Sequence, residues 1–388
     1  MGLPQGSILD HNIYMKKSNY SKRYVFALAF FILISSCRAP KSIEIDTSNV
    51  LVISPNQEHV SYEGRILSNK AENAKEIYWP GSSIRLNFIG TAAKAILEDQ
   101  NGTNYYNVII DGVFSKKIHL EKGKKEYILA TDLKNEKHTV ELHKRNDWTY
   151  GKTLFYGFNI KGEKTLPTTK KDLFIEFYGN SITVGYGNED YSGDDSSSGE
   201  VSNNYYSYAA RTARNLNAEY SCIALSGIGL KVSWFNRIMP EMYDALNPED
   251  SITRWNFNKR QPDVVVINLL QNDSWIVNKP TNEEFIRRFG KNAPSEQEYI
   301  DAYVDFINKI KGHYPNTKVV CYMGNMDITK PGSIWPTRVA KVVAKFPKNV
   351  YMTTAPYIDT QGLGHPKIDD HKVSADILTS FIKKEVLK

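Results

Sequence analysis

Two regimes of hydrophobic patterning divide the chain. Between residues 46 and 160 the apolar positions come in short β-rich runs, among them Ile84-Arg85-Leu86-Asn87-Phe88-Ile89, Tyr106-Asn107-Val108-Ile109-Ile110 and Thr139-Val140-Glu141-Leu142. Turn residues separate them, Asn101-Gly102 and Asp111-Gly112 being hairpin-type pairs, and no helical period intervenes. Short strands at this even spacing predict an antiparallel β-sandwich. Residues 161–171, polar and carrying Gly162 and Pro167, read as a linker. Over residues 172–388 the pattern changes. Near-continuous apolar runs at 173–178, 221–225, 263–270, 317–323 and 349–353 fit strands buried on both faces, which is the habit of parallel sheets. Helical periods lie between and after them: Tyr206, Ala209, Ala210, Ala213 and Leu216; then Tyr299 to Ile310, opened by a Ser295 and Glu298 capping box; then Val373 to Ile382. The expected unit is a three-layer α/β domain on a five-stranded parallel sheet, with its site at the carboxyl ends of the strands.

Composition changes this picture little, but charge position does. With 41% hydrophobic and 24% charged residues in 388, the chain has enough apolar surface for more than one core. Of the formal charge of +6, half sits in residues 1–36, where Lys16, Lys17, Lys22 and Arg23 face Asp10 alone. What remains is near balance and contains no basic run that would track phosphates, so no nucleic-acid partner is expected. The basic cluster precedes an apolar stretch from Tyr24 to Ile34, too short to span a bilayer as a helix, and then Leu33-Ile34-Ser35-Ser36-Cys37. Residues 1–37 therefore read as an export segment, with residues before Met15 as an upstream extension. The other two cysteines, Cys222 and Cys321, lie inside apolar runs and are expected to be inert core thiols.

Candidate chemistry gathers where the strands end. The first strand of the α/β region runs into Gly179-Asn180-Ser181-Ile182-Thr183, which can project a serine hydroxyl from a tight turn, although serine at that place also serves as a plain helix cap. A nucleophilic serine needs a base, and residues 172–388 contain three histidines. His313 precedes a strand and so lies at the wrong end of the sheet, as a surface turn residue. His371 falls on a helix, where capping or solvent exposure suits it. His365, between the last strand and the last helix, can lean over Ser181. Two further strand ends offer donors to a developing oxyanion: Gly227 in Ser226-Gly227-Ile228-Gly229-Leu230, and Asn272 in Leu270-Gln271-Asn272-Asp273.

These residues resemble the SGNH or GDSL hydrolases. Gly179-Asn180-Ser181 is similar to the serine block, Gly227 to the glycine block, Asn272 to the asparagine block and His365 to the histidine block. The resemblance extends to carbohydrate esterase family 2 in the run from Phe177 to Gly187, in Ser226 to Leu230 and in His365-Pro366. Upstream it continues in Trp79-Pro80-Gly81-Ser82 and His138 to Arg145, so that it covers the chain from about residue 48 onward. It implies a jelly-roll-like sandwich joined to an SGNH domain, and a serine esterase that removes acetyl groups from polysaccharides such as xylan and glucomannan. Ser181 and His365 would be catalytic, with the Ser181 and Gly227 N–H groups and the Asn272 amide as the oxyanion hole. No metal or cofactor is called for, and Trp234 and Trp275 are candidates to stack on sugar rings, or simply to fill the core. Leu33 to Cys37 resembles a bacterial lipobox, with Cys37 as a lipid anchor and the only membrane attachment expected.

Three of these blocks depart from the family pattern. Asn180 stands for Asp, Leu270-Gln271 for Gly-Thr, and Gly362-Leu363 occupy the places where an acid normally precedes the histidine. Asp359 is the close upstream acid and reads as a turn cap. The expectation is thus a Ser–His dyad held by a backbone carbonyl. Two other readings stay open: a weakened esterase that only binds carbohydrate, and a lipid or thioester hydrolase, against which the polar segment 187–204 argues.

Overall fold

The computed structural model describes residues 50–388. Residues 1–37, read from sequence as an export segment and including Cys37, lie outside the described residues. The first half is built on antiparallel strands β1 (Val50–Ile53), β2 (Val60–Glu63), β3 (Ile66–Asn69), β4 (Ala74–Ile77), β5 (Ser83–Asp99), β6 (Tyr105–Ile110), β7 (Val113–His119), β8 (Gly123–Ala130), β9 (Glu136–Lys144) and β10 (Thr153–Lys164). The long β5 connects them. Its start pairs with β2 and β9, its end with β8, and β10 runs beside it from Phe88 to Asp99. Ile84, Leu86 and Phe88 alternate inward as a strand period demands, and meet Val108, Val140, Leu142, Phe155 and Phe158 in one apolar core. β10 continues to Lys164, into the segment that sequence alone marks as linker, because residues 162–164 still pair with 88–90.

The second half is a parallel sheet of β11 (Phe174–Gly179), β12 (Glu219–Ala224), β13 (Val264–Asn268), β14 (Lys318–Asn325) and β15 (Val350–Tyr357), in spatial order β12-β11-β13-β14-β15 among the described residues. Alternate residues of each strand feed two different cores. Tyr178, Ile223, Val265 and Ile267 point to one side, against α5 (Glu296–His313) and α6 (Trp335–Val343). Phe177, Cys222, Val264 and Val266 point to the other, against α2 (Tyr208–Asn215) and α7 (Ile368–Phe381). Burial on both faces explains the unbroken apolar runs, and the result is a three-layer SGNH-type unit. The capping box of Ser295 and Glu298 opens α5 as its spacing requires. Cys222 and Cys321 are buried free thiols, each pushed up to about 12 by burial. Among the described residues no helix is long and apolar enough to cross a membrane.

Polar as well as apolar contacts join the two halves. Trp79 is buried and its indole N–H donates to the Leu246 carbonyl at 3.1 Å. Arg65, also fully buried, pairs with Glu176 of β11 at 3.3 Å and donates to Tyr178 Oη and to the carbonyls of Tyr243 and Ala245. Gly81 has φ of +74°, and a Cβ there would lie 2.4 Å from Asn204 Oδ1 and 2.3 Å from the Tyr220 ring. The Trp79-Pro80-Gly81-Ser82 motif is therefore part of the joint between the halves.

Candidate active site

β11 delivers the serine. At its end Asn180 is the N-cap of the short helix α1 (Ser181–Val184), its Oδ1 accepting the Ile182 N–H at 3.1 Å. The exchange of Asp for Asn thus keeps the cap. Gly179 admits no side chain, since a Cβ would lie 2.0 Å from Thr183 Oγ1. Ser181 Oγ lies 2.8 Å from His365 Nε2. The far side of the imidazole is also held: His365 Nδ1 is 2.8 and 2.9 Å from the two carboxylate oxygens of Asp195, and the His365 backbone N–H donates to Oδ1 at 3.1 Å. Burial works to raise the Asp195 carboxyl, but the hydrogen bonds and charge of His365 outweigh it and hold the group below the usual carboxylate range.

This geometry corrects the expectation of a dyad. The imidazole is oriented by a side-chain carboxylate, not by a backbone carbonyl, and the carboxylate comes from the loop after the serine block, not from the residues before the histidine. Asp359 is exposed and accepts the Gln361 N–H at 2.9 Å, the turn-capping role its sequence context suggests. The sequence signal for Asp195 is weak. It is one of several acids in the Ser-, Gly- and Asp-rich segment 187–204, and proximity in sequence to His365 is a poor guide to proximity in space.

The acid loop has its own organiser. Asp190 accepts the Ser192 hydroxyl and N–H on Oδ1 and the Ser196 N–H on Oδ2, which curls the chain so that Asp195 points inward. Those donors depress its carboxyl to about 2. Gly364 supplies the space, since a Cβ at that residue would lie 2.4 Å from Asp195 Cγ. Buried Lys367 donates to the Gly187 carbonyl at 2.9 Å and closes the loop from below, while the Tyr186 ring stands 4.7 Å from that of His365.

The oxyanion candidates sit at neighbouring strand ends, β12 and β13 being the two partners of β11. Gly227 has φ of +84°, which favours glycine. Its loop is held by Asp273, fully buried, whose carboxylate accepts the N–H groups of Leu230, Lys231 and Val232 at 2.7–3.1 Å. Burial pushes that carboxyl up to about 6 against the pull of those donors. Asn272, on α3 (Gln271–Ile276), donates Nδ2 to the Ile228 carbonyl at 2.7 Å and accepts the Trp234 indole N–H on Oδ1 at 3.0 Å. An indole only donates and a carbonyl only accepts, so the amide orientation is determined and its second N–H stays on the Nδ2 side. Leu270 holds φ of +78°, the left-handed conformation that a glycine would adopt without cost, and its side chain is anchored in the core.

The remaining candidates separate. Trp234 is 42% exposed at the rim beside Gly227 and Asn272, whereas Trp275 is half-buried and donates to Asp327 Oδ2 at 3.0 Å. His313 ends α5 at the opposite end of the sheet, stacked on Phe257. His371 is not solvent-exposed. It is fully buried on α7, its Nδ1 accepting the Tyr208 N–H at 3.2 Å, so that it caps α2, and burial lowers it to about 3. Among the described residues no three His, Cys, Asp or Glu side chains converge as a metal site requires.

Residues 62–168 match the family described as Carbohydrate esterase 2 N-terminal. The Cellulase/esterase CelE of Acetivibrio thermocellus is 32% identical over 339 residues, covering 84% of this chain, and the chain spans 39% of that protein's length. An Acetylxylan esterase / glucomannan deacetylase of Cellvibrio japonicus is 28% identical over 342 residues, with 83% of this chain and 90% of that protein covered. The structure of a family two carbohydrate esterase from Clostridium thermocellum in complex with cellohexaose superposes with a TM-score of 0.74 at 30% identity, covering 84% of this chain and 99% of that one.

Proposed function

The chain belongs to carbohydrate esterase family 2, a family of carboxylic ester hydrolases, and from that premise we propose that it removes O-acetyl groups from plant polysaccharides or oligosaccharides such as xylan and glucomannan. The single observation that carries this reading is the chain of bonds from Ser181 through His365 to Asp195. Ser181 Oγ attacks the acetyl carbonyl carbon while its proton passes to His365 Nε2. Asp195 keeps the Nδ1–H tautomer and stabilises the imidazolium that forms. The oxyanion is held by the Ser181 and Gly227 N–H groups and the Asn272 amide. The Ser181 N–H lies at the start of a helix, where such groups lack intrahelical partners. As the intermediate collapses His365 returns the proton to the sugar oxygen, and water then releases acetate from the acyl-enzyme by the same steps. Trp234 stands at the rim where a sugar ring would lie, and the polar loop 187–204 beside His365 suits a hydroxylated substrate better than an acyl chain.

The two departures that would favour a binding-only protein are both compensated, the missing acid by Asp195 and the missing glycine by the left-handed backbone of Leu270. Acetate release from acetylated xylan and glucomannan, run beside a long-chain acyl ester, tests the reading. Turnover on the acetylated glycans is expected, with Ser181→Ala and His365→Ala each removing nearly all of it while thermal melts stay close to wild type. Full activity in Ser181→Ala, or a preference for the long acyl ester, would refute it. We further propose export with lipid attachment at Cys37, for which loss of the membrane-bound fraction in Cys37→Ser is the check.

A further inference from the structure

One short segment of the β-sandwich reaches three of the loops that build the hydrolase site. It comprises the end of β9 and the 3-10 turn after it (Trp148–Tyr150), residues 143–150 in all. Its first residue, buried His143, faces Asn204 Oδ1 through Nε2 at 3.3 Å. Asn204 in turn donates to the carbonyls of Thr183 and Val184 at 3.2 and 3.1 Å, which are the free carbonyls at the end of the serine helix. Buried Arg145 forms an ion pair with Glu189 and donates to the Ser202 carbonyl at 3.1 Å and the Glu200 carbonyl at 2.9 Å, gripping both arms of the acid loop. Asp147 accepts the Ser226 N–H at 3.2 Å, one residue before Gly227. Tyr150 Oη donates to the Ser197 carbonyl, two residues after Asp195. Asp147 itself is not free to drift, since buried Lys144 donates to the carbonyls of Asn146 and Asp147 at 2.9 and 3.0 Å.

We propose that residues 143–150 are a positioning element of the esterase site, through which the sandwich holds the acid loop by Tyr150 and Arg145, the oxyanion glycine by Asp147 and the serine helix by His143. The segment makes no bond to Ser181, His365 or Asp195 themselves; it acts through the loops that carry them. Because the acid loop has no strand or long helix of its own, it depends on these bonds as well as on those of Asp190. This rests on the esterase reading above, but it makes a separate claim about which residues set the Asp195 to His365 bond.

The test measures turnover of a small acetyl ester, whose hydrolysis needs no polysaccharide surface. Tyr150→Phe is expected to lower kcat on the order of tenfold with KM within about twofold, the scale of one lost hydrogen bond. In an Asp195→Asn background the same change should cost less than about twofold, because the group it positions is already disabled. Asp147→Ala should lower kcat in both backgrounds, because it acts on the oxyanion side through Ser226, and by the larger factor where Asp195 is intact, because Asp147 Oδ1 also caps the turn that carries Tyr150 by accepting the Thr149 N–H at 3.0 Å; Asp147→Asn, which keeps one accepting oxygen, should recover part of the loss and serves where the alanine variant folds poorly. Independently of turnover, the low-field proton resonance of His365 Nδ1–H should broaden in Tyr150→Phe and persist in Asp147→Asn. Wild-type kcat in Tyr150→Phe, or equal losses in both backgrounds with an unchanged His365 resonance, would overturn the proposal. Inactivity of the wild-type chain on all acetyl esters would defeat the esterase reading instead, and the resonance would still decide whether Tyr150 sets the bond.

Discussion

Asp195 stands against His365, where the residues before the histidine offer no acid. Its carboxylate reaches both the ring and the backbone N–H of His365, so it positions the imidazole at two points. Replacing a triad Asp by Asn turns the imidazole into the wrong tautomer and costs about 10⁴ in turnover in a serine protease. Asp195→Asn should lower kcat by roughly 10³ to 10⁴ with the melting temperature little changed, whereas Asp359→Asn should stay within about tenfold of wild type. Steady-state kinetics on one acetyl ester separates the two. The serine and the histidine that meet at 2.8 Å were readable because each sits at a predicted strand end. The acid was not, because it stands 170 residues from the histidine it serves and no local pattern encodes that contact.

Elements differ in how strongly their residues define them. Strands β11 to β15 and helices α2, α5 and α7 have apolar periods that leave one way to bury them, and they lie where periodicity places them. The acid loop is held instead by polar bonds centred on Asp190, and these titrate. With its folded pKa depressed to about 2, Asp190 contributes stability that is present above the ordinary carboxylate value of about 4 and is lost as the pH falls from there toward 2. Limited proteolysis should therefore nick residues 190–197 in that window before the sheet unfolds, and Asp190→Ala should show the nick already at neutral pH. The loop after Gly227 depends on a second buried carboxyl, that of Asp273. Asp273→Asn replaces one accepting oxygen by a donor among the three N–H groups of Leu230, Lys231 and Val232, and should cost about 1–3 kcal/mol in chemical denaturation together with a fall in kcat.

At the scale of the whole molecule the sandwich and the α/β unit depend on each other. Arg65 is a buried cation whose carboxylate partner, Glu176, belongs to the central sheet; breaking such a pair from one side leaves an uncompensated charge and costs about 3–5 kcal/mol. Arg65→Ala should show that loss in urea unfolding. Deleting residues 50–160 would leave Glu176 without its cation and take residues 143–150 away from the site, so it should abolish turnover on a small acetyl ester as fully as on polysaccharide. Retained activity on the small ester would mean that the sandwich serves only the polymer. The sequence by itself determined the two-part architecture, the parallel sheet and the serine and histidine at its carboxyl edge, because apolar periodicity and strand-end turns are local properties of a chain. Only the tertiary structure decided that Asp195 bonds to His365, that His371 is buried as a helix cap and that residues 143–150 of the sandwich contact the hydrolase loops. Those are polar contacts between distant segments, and their partners are chosen by the register of sheets that must pack first.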